Sequence, residues 1–202
     1  MTTQAEALAH CIEEGGVAVF PADTVYGLAC DPLDAAAVAR LYALKGRPAD
    51  KPAAVMWFDR ERALAALPWL GPRTRAALGR LLPGPVTLLV RNPDERFPLA
   101  GGAAVLGIRV PDVPALATVP SAVLQSSANH AGGADPRTVE EVPHAIREGA
   151  DLVLDAGPLP GTPSTVVDLS DYERDGRWSV VREGAVAAEE IARSLGIVSG
   201  PP

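Results

Sequence analysis

The chain has 202 residues, enough to bury a substantial core in a single domain spanning 1–202, and its 48 % hydrophobic and 21 % charged residues match ordinary soluble usage rather than a disordered or fibrous protein. A formal charge of −7 argues against broad binding to nucleic acid or anionic membranes while leaving room for a basic cleft, and 4 % aromatic content argues against a base-stacking platform. Cys11 and Cys30 are too few and too isolated for a disulfide framework or zinc cluster, and His10, His130 and His144 show no ligand spacing. The N-terminus shows no secretory signal and no apolar run approaches membrane-spanning length, so the expectation is a cytoplasmic protein with no membrane partner.

In chain order, residues 4–14 read as an amphipathic helix with Leu8 and Ile12 on one face, ended by Gly15-Gly16. VAVFP reads as a buried strand and 21–33 as a loop, after which Asp34 caps a helix presenting Val38, Leu41 and Tyr42. Lys45 leaves the last turn of that helix near the same face, and Gly46 and Pro48 stop it. AAVMWF at 53–58 is strand-like, and DRERALAAL and PRTRAALGRLL read as two short helices. VTLLV, VLGIRV, AVLQS, LVLDA, TVVDL and WSVVR follow as strand candidates, with helices at 112–118, 138–148 and 187–195 between them. The alternation specifies an α/β domain on a largely buried mixed sheet, without repeats or a linker.

Four polar stretches interrupt this pattern: PADTVYGLACDP, KGRPADKP, SSANHAGG and the 162–186 segment carrying TPSTVVDLS and VVREGAV. Each lies at an element end, where α/β sheets bind ligands. The only two lysines, Lys45 and Lys51, bracket Arg47, although sixteen of the eighteen basic residues are arginine. A point charge beside a planar fork suits a polyanion, and equally suits a solvated helix C-terminus. The run is not a Walker A loop, since Asp50 and Pro52 flank Lys51. Ser126, Ser127 and Asn129 offer hydroxyls and an amide for phosphate or ribose, or for their own turn. No G-x-S-x-G surrounds either serine. Arg109 lies within an apolar strand and therefore needs an internal carboxylate or a bound anion, with Asp168 a candidate partner; Arg182 poses the same choice.

Together and in order, FPADTVYGLACDP, LKGRPADKP, LLPGPVTLLV, LGIRVP, SSAN with Gly132-Gly133, PSTVVDLS and VVREGAV resemble the YrdC/TsaC family, the L-threonylcarbamoyladenylate synthases, from about residue 12 to about residue 186. The resemblance implies the family's twisted, mostly buried mixed sheet with flanking helices around a basic internal cavity. It implies a nucleotidyltransferase joining L-threonine, bicarbonate and ATP, the last with Mg²⁺, into threonylcarbamoyl-AMP and pyrophosphate, with no protein-held metal. A separate tRNA threonylcarbamoyl transferase would receive the product, and tRNA itself is a further candidate partner. By similarity Lys45 and Arg47 would be catalytic and hold the ATP phosphates, helped by Lys51. Ser126, Ser127, Asn129 and Arg182 would contact the nucleotide, while Arg109, Ser164 and Thr24 would serve threonine.

This chain departs from the family pattern at Pro21-Ala22-Asp23, where members commonly read Pro-Thr-[Asp/Glu], so a hydroxyl expected near the amino-acid pocket is missing. Ala53 and Ala54 replace larger aliphatics, which would widen the cavity. The extra C-terminal domain of longer members is not expected within these 202 residues. Two alternatives compete: a YciO-like paralogue sharing the fold without the activity, and an RNA-binding or ribosome-associated module. Retention of Lys45, Arg47, Ser127 and Asn129 weighs against the first, and the acidic charge against the second.

Overall fold

The architecture comes from a computed structural model describing residues 2–48, 51–101 and 104–196. Local signals set the helix ends. Thr3 and Glu6 form a reciprocal capping box at the start of α1 (Gln4–Glu13). The chain then forms β1 (Ala18–Pro21) and turns directly into β2 (Tyr26–Cys30). At α2 (Ala35–Lys45) the Asp34 carboxylate accepts from the amides of Ala36 and Ala37, and Gly46 closes the far end in the left-handed conformation at φ 59°. There follow β3 (Ala54–Met56), α3 (Arg60–Ala66), α4 (Pro72–Leu81), β4 (Val86–Arg91), β5 (Val105–Arg109) and β6 (Val123–Ser127). The chain ends with α5 (His144–Gly149), β7 (Leu152–Val153), β8 (Thr165–Asp168), α6 (Tyr172–Asp175), β9 (Ser179–Arg182) and α7 (Ala188–Leu195).

Four expectations change. The stretch 21–33 is not a continuous loop, because β2 lies inside it. The helix expected at 112–118 is a single 3-10 turn, Pro114–Leu116. Only the last part of 138–148 is helical, starting after Pro143, and LVLDA contributes a two-residue strand.

Nine strands form one mixed sheet in the order β7-β1-β2-β6-β3-β5-β4-β8-β9, which bears out the expected α/β class. The pairs β1–β7, β3–β5 and β4–β8 are parallel and the rest antiparallel. Alternate residues divide between two faces. On one face Val19, Leu28, Val55, Leu124, Ile108 and Leu88 join the main core, covered by α2, α4 and α7 through Leu41, Leu78 and Ile191. On the other, Phe20, Ala29, Met56 and Val123 pack with Leu8 and Ile12 of α1 in a smaller cluster.

That smaller cluster covers only part of its face. Register continues the face across the sheet, since Gln125 pairs with Ala54, Ala54 with Gly107, Gly107 with Leu89 and Leu89 with Asp168. Directly paired residues point to the same side. This row is not roofed by α1, and above it lies a cavity.

Candidate functional site

The cavity encloses about 630 Å³ over the small floor residues Ala54 and Gly107. That size suits a nucleotide-scale ligand. Arg47, Ser126 and Ser127 line it at the β6 side, Arg109 rises near the middle, and Ser164 and Arg182 line the β8–β9 side. Asp135 and Asp168 are the carboxylates on its wall, so three arginines face two aspartates among the described lining residues.

The β6 side is built by a turn that α2 holds from behind. Lys45 is only 2 % exposed and does not line the cavity. Its ammonium donates to the Ser127 carbonyl, to the Asn129 carbonyl at 2.8 Å and to Asn129 Oδ1 at 3.0 Å. Three acceptors match its three protons, while burial, followed by the charge of Arg47, pushes its pKa down to about 8 against the opposing pull of Asp135. Asn129 is likewise engaged internally: Oδ1 also accepts from Ser127 Oγ at 2.7 Å, and Nδ2 donates to the Gly133 carbonyl at 2.6 Å and to Asp135 at 3.2 Å. Lys45 and Asn129 thus shape the wall that Ser126 and Ser127 present.

Arg47 does reach the cavity. Its Nη1 donates to Ser126 Oγ at 3.2 Å and its Nη2 to the Pro52 carbonyl at 2.5 Å, with the guanidinium 6.0 Å from the Tyr42 ring centroid. Nε is buried without a partner among the described residues. Lys51 is exposed and lies off the lining, its carbonyl accepting from Tyr42 Oη at 2.7 Å. Ala49 and Asp50 of the same run lie outside the described residues.

Arg109 meets an internal carboxylate, but Asp23 rather than Asp168. Nη2 contacts Asp23 Oδ1 and Thr24 Oγ1, each at 2.5 Å, and both side chains of the ion pair are nearly buried, at 4 % and 7 % exposure. Burial pushes the Arg109 pKa down, and Asp23 opposes the shift. Asp168 instead accepts from the Ser170 amide at 2.7 Å. Thr24 therefore stands behind Arg109 and off the lining, while Arg109 Nη1 makes no hydrogen bond among the described residues. At the far side Arg182 Nη2 donates to the Ser164 carbonyl at 2.7 Å and to its hydroxyl at 3.3 Å, and that hydroxyl shares a 2.8 Å bond with Thr87. Arg182 and Ser164, assigned by resemblance to different substrates, are thus in direct contact.

Residues 10–184, which build the nine-stranded mixed sheet and this cavity lined by arginines and hydroxyls, match the Sua5/YciO/YrdC family model, described as telomere recombination. The chain belongs to the Sua5/YciO/YrdC family. It is similar to the threonylcarbamoyl-AMP synthase of Thiobacillus denitrificans, 36 % identical over 173 residues that cover 79 % of this chain and 87 % of the relative. Pyrococcus abyssi Sua5, solved in complex with L-threonine, matches at TM-score 0.82 and 29 % identity over 95 % of this chain, which spans 57 % of the Sua5 chain. Escherichia coli YciO matches at TM-score 0.76 and 25 % identity over 92 % of this chain and 91 % of its own.

Two departures from the family pattern acquire a place. Ala22 is buried in the smaller apolar cluster with Phe20 and does not line the cavity, whereas Ala53 and Ala54 both do. Sequence reading missed Gln125, Thr87, Asp23 and Asp135. Gln125 and Thr87 carry a readable signal, a polar residue alternating with Leu or Val in AVLQS and VTLLV. Asp23 and Asp135 carry none, because their partners are set by tertiary contact. A second depression of about 760 Å³ lies between α1 and β7, but Arg40 and Asp151 there already pair with each other at 2.8 Å.

Proposed function

We propose that this chain is an L-threonylcarbamoyladenylate synthase, a nucleotidyltransferase. Membership of the family, together with relatives named threonylcarbamoyl-AMP synthase that match most of the chain, supports the activity. The observation that carries it in the structure is the cavity with anion-binding groups on both sides and in its middle. In the reaction the threonine amine adds to bicarbonate with loss of water, giving a carbamate. A carbamate oxygen then bonds to the α-phosphorus of ATP as the bond from that phosphorus to the β-phosphate oxygen breaks, releasing pyrophosphate.

Two anions must meet, so fixed cations and hydroxyls accelerate the reaction by positioning and by offsetting charge on the α-phosphoryl group. Arg47, Ser126 and Ser127 take the phosphates in this proposal. Arg109, with Nη1 unengaged, takes the threonine carboxylate, and Arg182 with Ser164 closes the opposite side. Lys45, Asn129 and Thr24 act from behind by fixing those groups. In this proposal a Mg²⁺ would arrive with ATP, held by phosphate oxygens and water. That ion supplies charge neutralisation on the triphosphate. The product passes to a tRNA threonylcarbamoyl transferase. No helix among the described residues is long and apolar enough to cross a membrane.

The test is pyrophosphate release by purified protein with ATP and Mg²⁺. Release is expected to require both L-threonine and bicarbonate. Release independent of either one, or ATP binding without release, sinks the synthase reading and favours a role like that of a non-synthase paralogue.

A further inference from the structure

Gln125 is a polar side chain placed where an apolar one would pack. It lies on the floor row of β6, is 6 % exposed, lines the cavity, and its amide hydrogen-bonds to no other described residue. The residue is buried, yet its amide atoms open onto the cavity rather than being sealed in the core, so they meet whatever fills it. The fold also reserves room for it, since a Cβ at Gly27 on β2 would lie 3.1 Å from Gln125 Nε2. Its neighbours along the floor, Ala54 and Gly107, are too short to reach it, so the amide stays open to the cavity.

Position decides what it can read. Ser126 and Ser127 follow it on the same strand, where Arg47 converges. Arg109 lies two strands across and two residues along, a Cα separation of about 12 Å from strand spacing and rise, and lines the same cavity. The amide therefore stands between the phosphate-facing groups and the carboxylate-facing arginine. We infer that Gln125 recognises the carbamate that links amino acid to phosphate, its Oε1 accepting from the carbamate N–H and its Nε2 donating to the carbamate oxygen on the same edge as that N–H. The carbamate N–H and the oxygen syn to it lie on one edge, and a carboxamide presents the complementary acceptor and donor side by side. This inference rests on the synthase reading above.

The test compares Gln125→Ala and the near-isosteric Gln125→Glu with the wild-type protein, by steady-state pyrophosphate release at varied bicarbonate, L-threonine and ATP, with thermal unfolding to verify folding. Replacing the Nε2 donor should raise the apparent KM for bicarbonate at least tenfold in both variants, while the KM values for ATP and L-threonine stay within twofold. An unchanged bicarbonate requirement, or a loss that falls on ATP instead, overturns the assignment of Gln125 and leaves the synthase reading standing. A wild-type protein that shows no bicarbonate dependence at all removes the synthase reading, and this inference with it.

Discussion

Lys45 and Arg47 sit two residues apart and face different surroundings. The fork of Arg47 opens on the cavity, whereas the ammonium of Lys45 is consumed by three oxygens of the 127–129 turn. Lys45→Met should cut pyrophosphate release by roughly 10²-fold through misplacement of Ser126 and Ser127. Burial lowers the Lys45 pKa to about 8 from 10.5, so between those values the unfolded chain holds the proton more tightly. Charged Lys45 thus costs stability below pH 8, and the cost fades as pH rises toward 10.5. The unfolding free energy of wild type minus that of Lys45→Met should climb across that window in denaturant titrations; a flat difference contradicts the buried placement. For Arg109 the prediction concerns its partner. Arg109→Gln should raise the threonine KM and cost about 3–5 kcal/mol of stability, because Asp23 is left charged and nearly buried. Adding Asp23→Asn should restore part of the stability without restoring threonine affinity. Equal stabilities for the single and double variants would show that the pair is not coupled.

At the scale of elements, the site depends on how closely segments approach. A Cβ on Gly184 would lie 2.3 Å from the Pro163 carbonyl oxygen and 2.6 Å from Ser164 C and Thr165 N, all backbone atoms with no freedom to yield. Gly184→Ala should therefore spread the segment after β9 from the one before β8, separate Arg182 from Ser164, and destabilise the fold by about 1–3 kcal/mol. Unchanged unfolding and unchanged turnover would refute that close contact. Elements with strong local signals were legible in the sequence: the Asp34 cap and Gly46 stop of α2, and the β-branched runs of β4, β5, β8 and β9. The strand β2 was not, because YGLAC has no β-branched residue, contains glycine and is buried throughout, so it shows no alternation. The same limit applies to the site. Arg47 and Arg109 stand out as charges in turn-rich or apolar surroundings, whereas the Arg109–Asp23 pair joins positions 86 apart in sequence and is fixed by packing alone.

Over the whole molecule, an acidic chain of net charge −7 gathers three arginines into one cavity on a single face of its sheet. The sheet's other face is closed by α2, α4 and α7, and the rest of the cavity's own face by α1. On the proposed synthase reading this one cavity meets both substrates, so a single covalent product containing amino acid, one-carbon unit and nucleotide is expected. The measurement that tests this most directly is mass spectrometry of the nucleotide formed from ATP, L-threonine and ¹³C-bicarbonate. An adduct of AMP and threonine that carries the labelled carbon is the predicted result. AMP joined to threonine without the label, or no adduct while pyrophosphate accumulates, would contradict it.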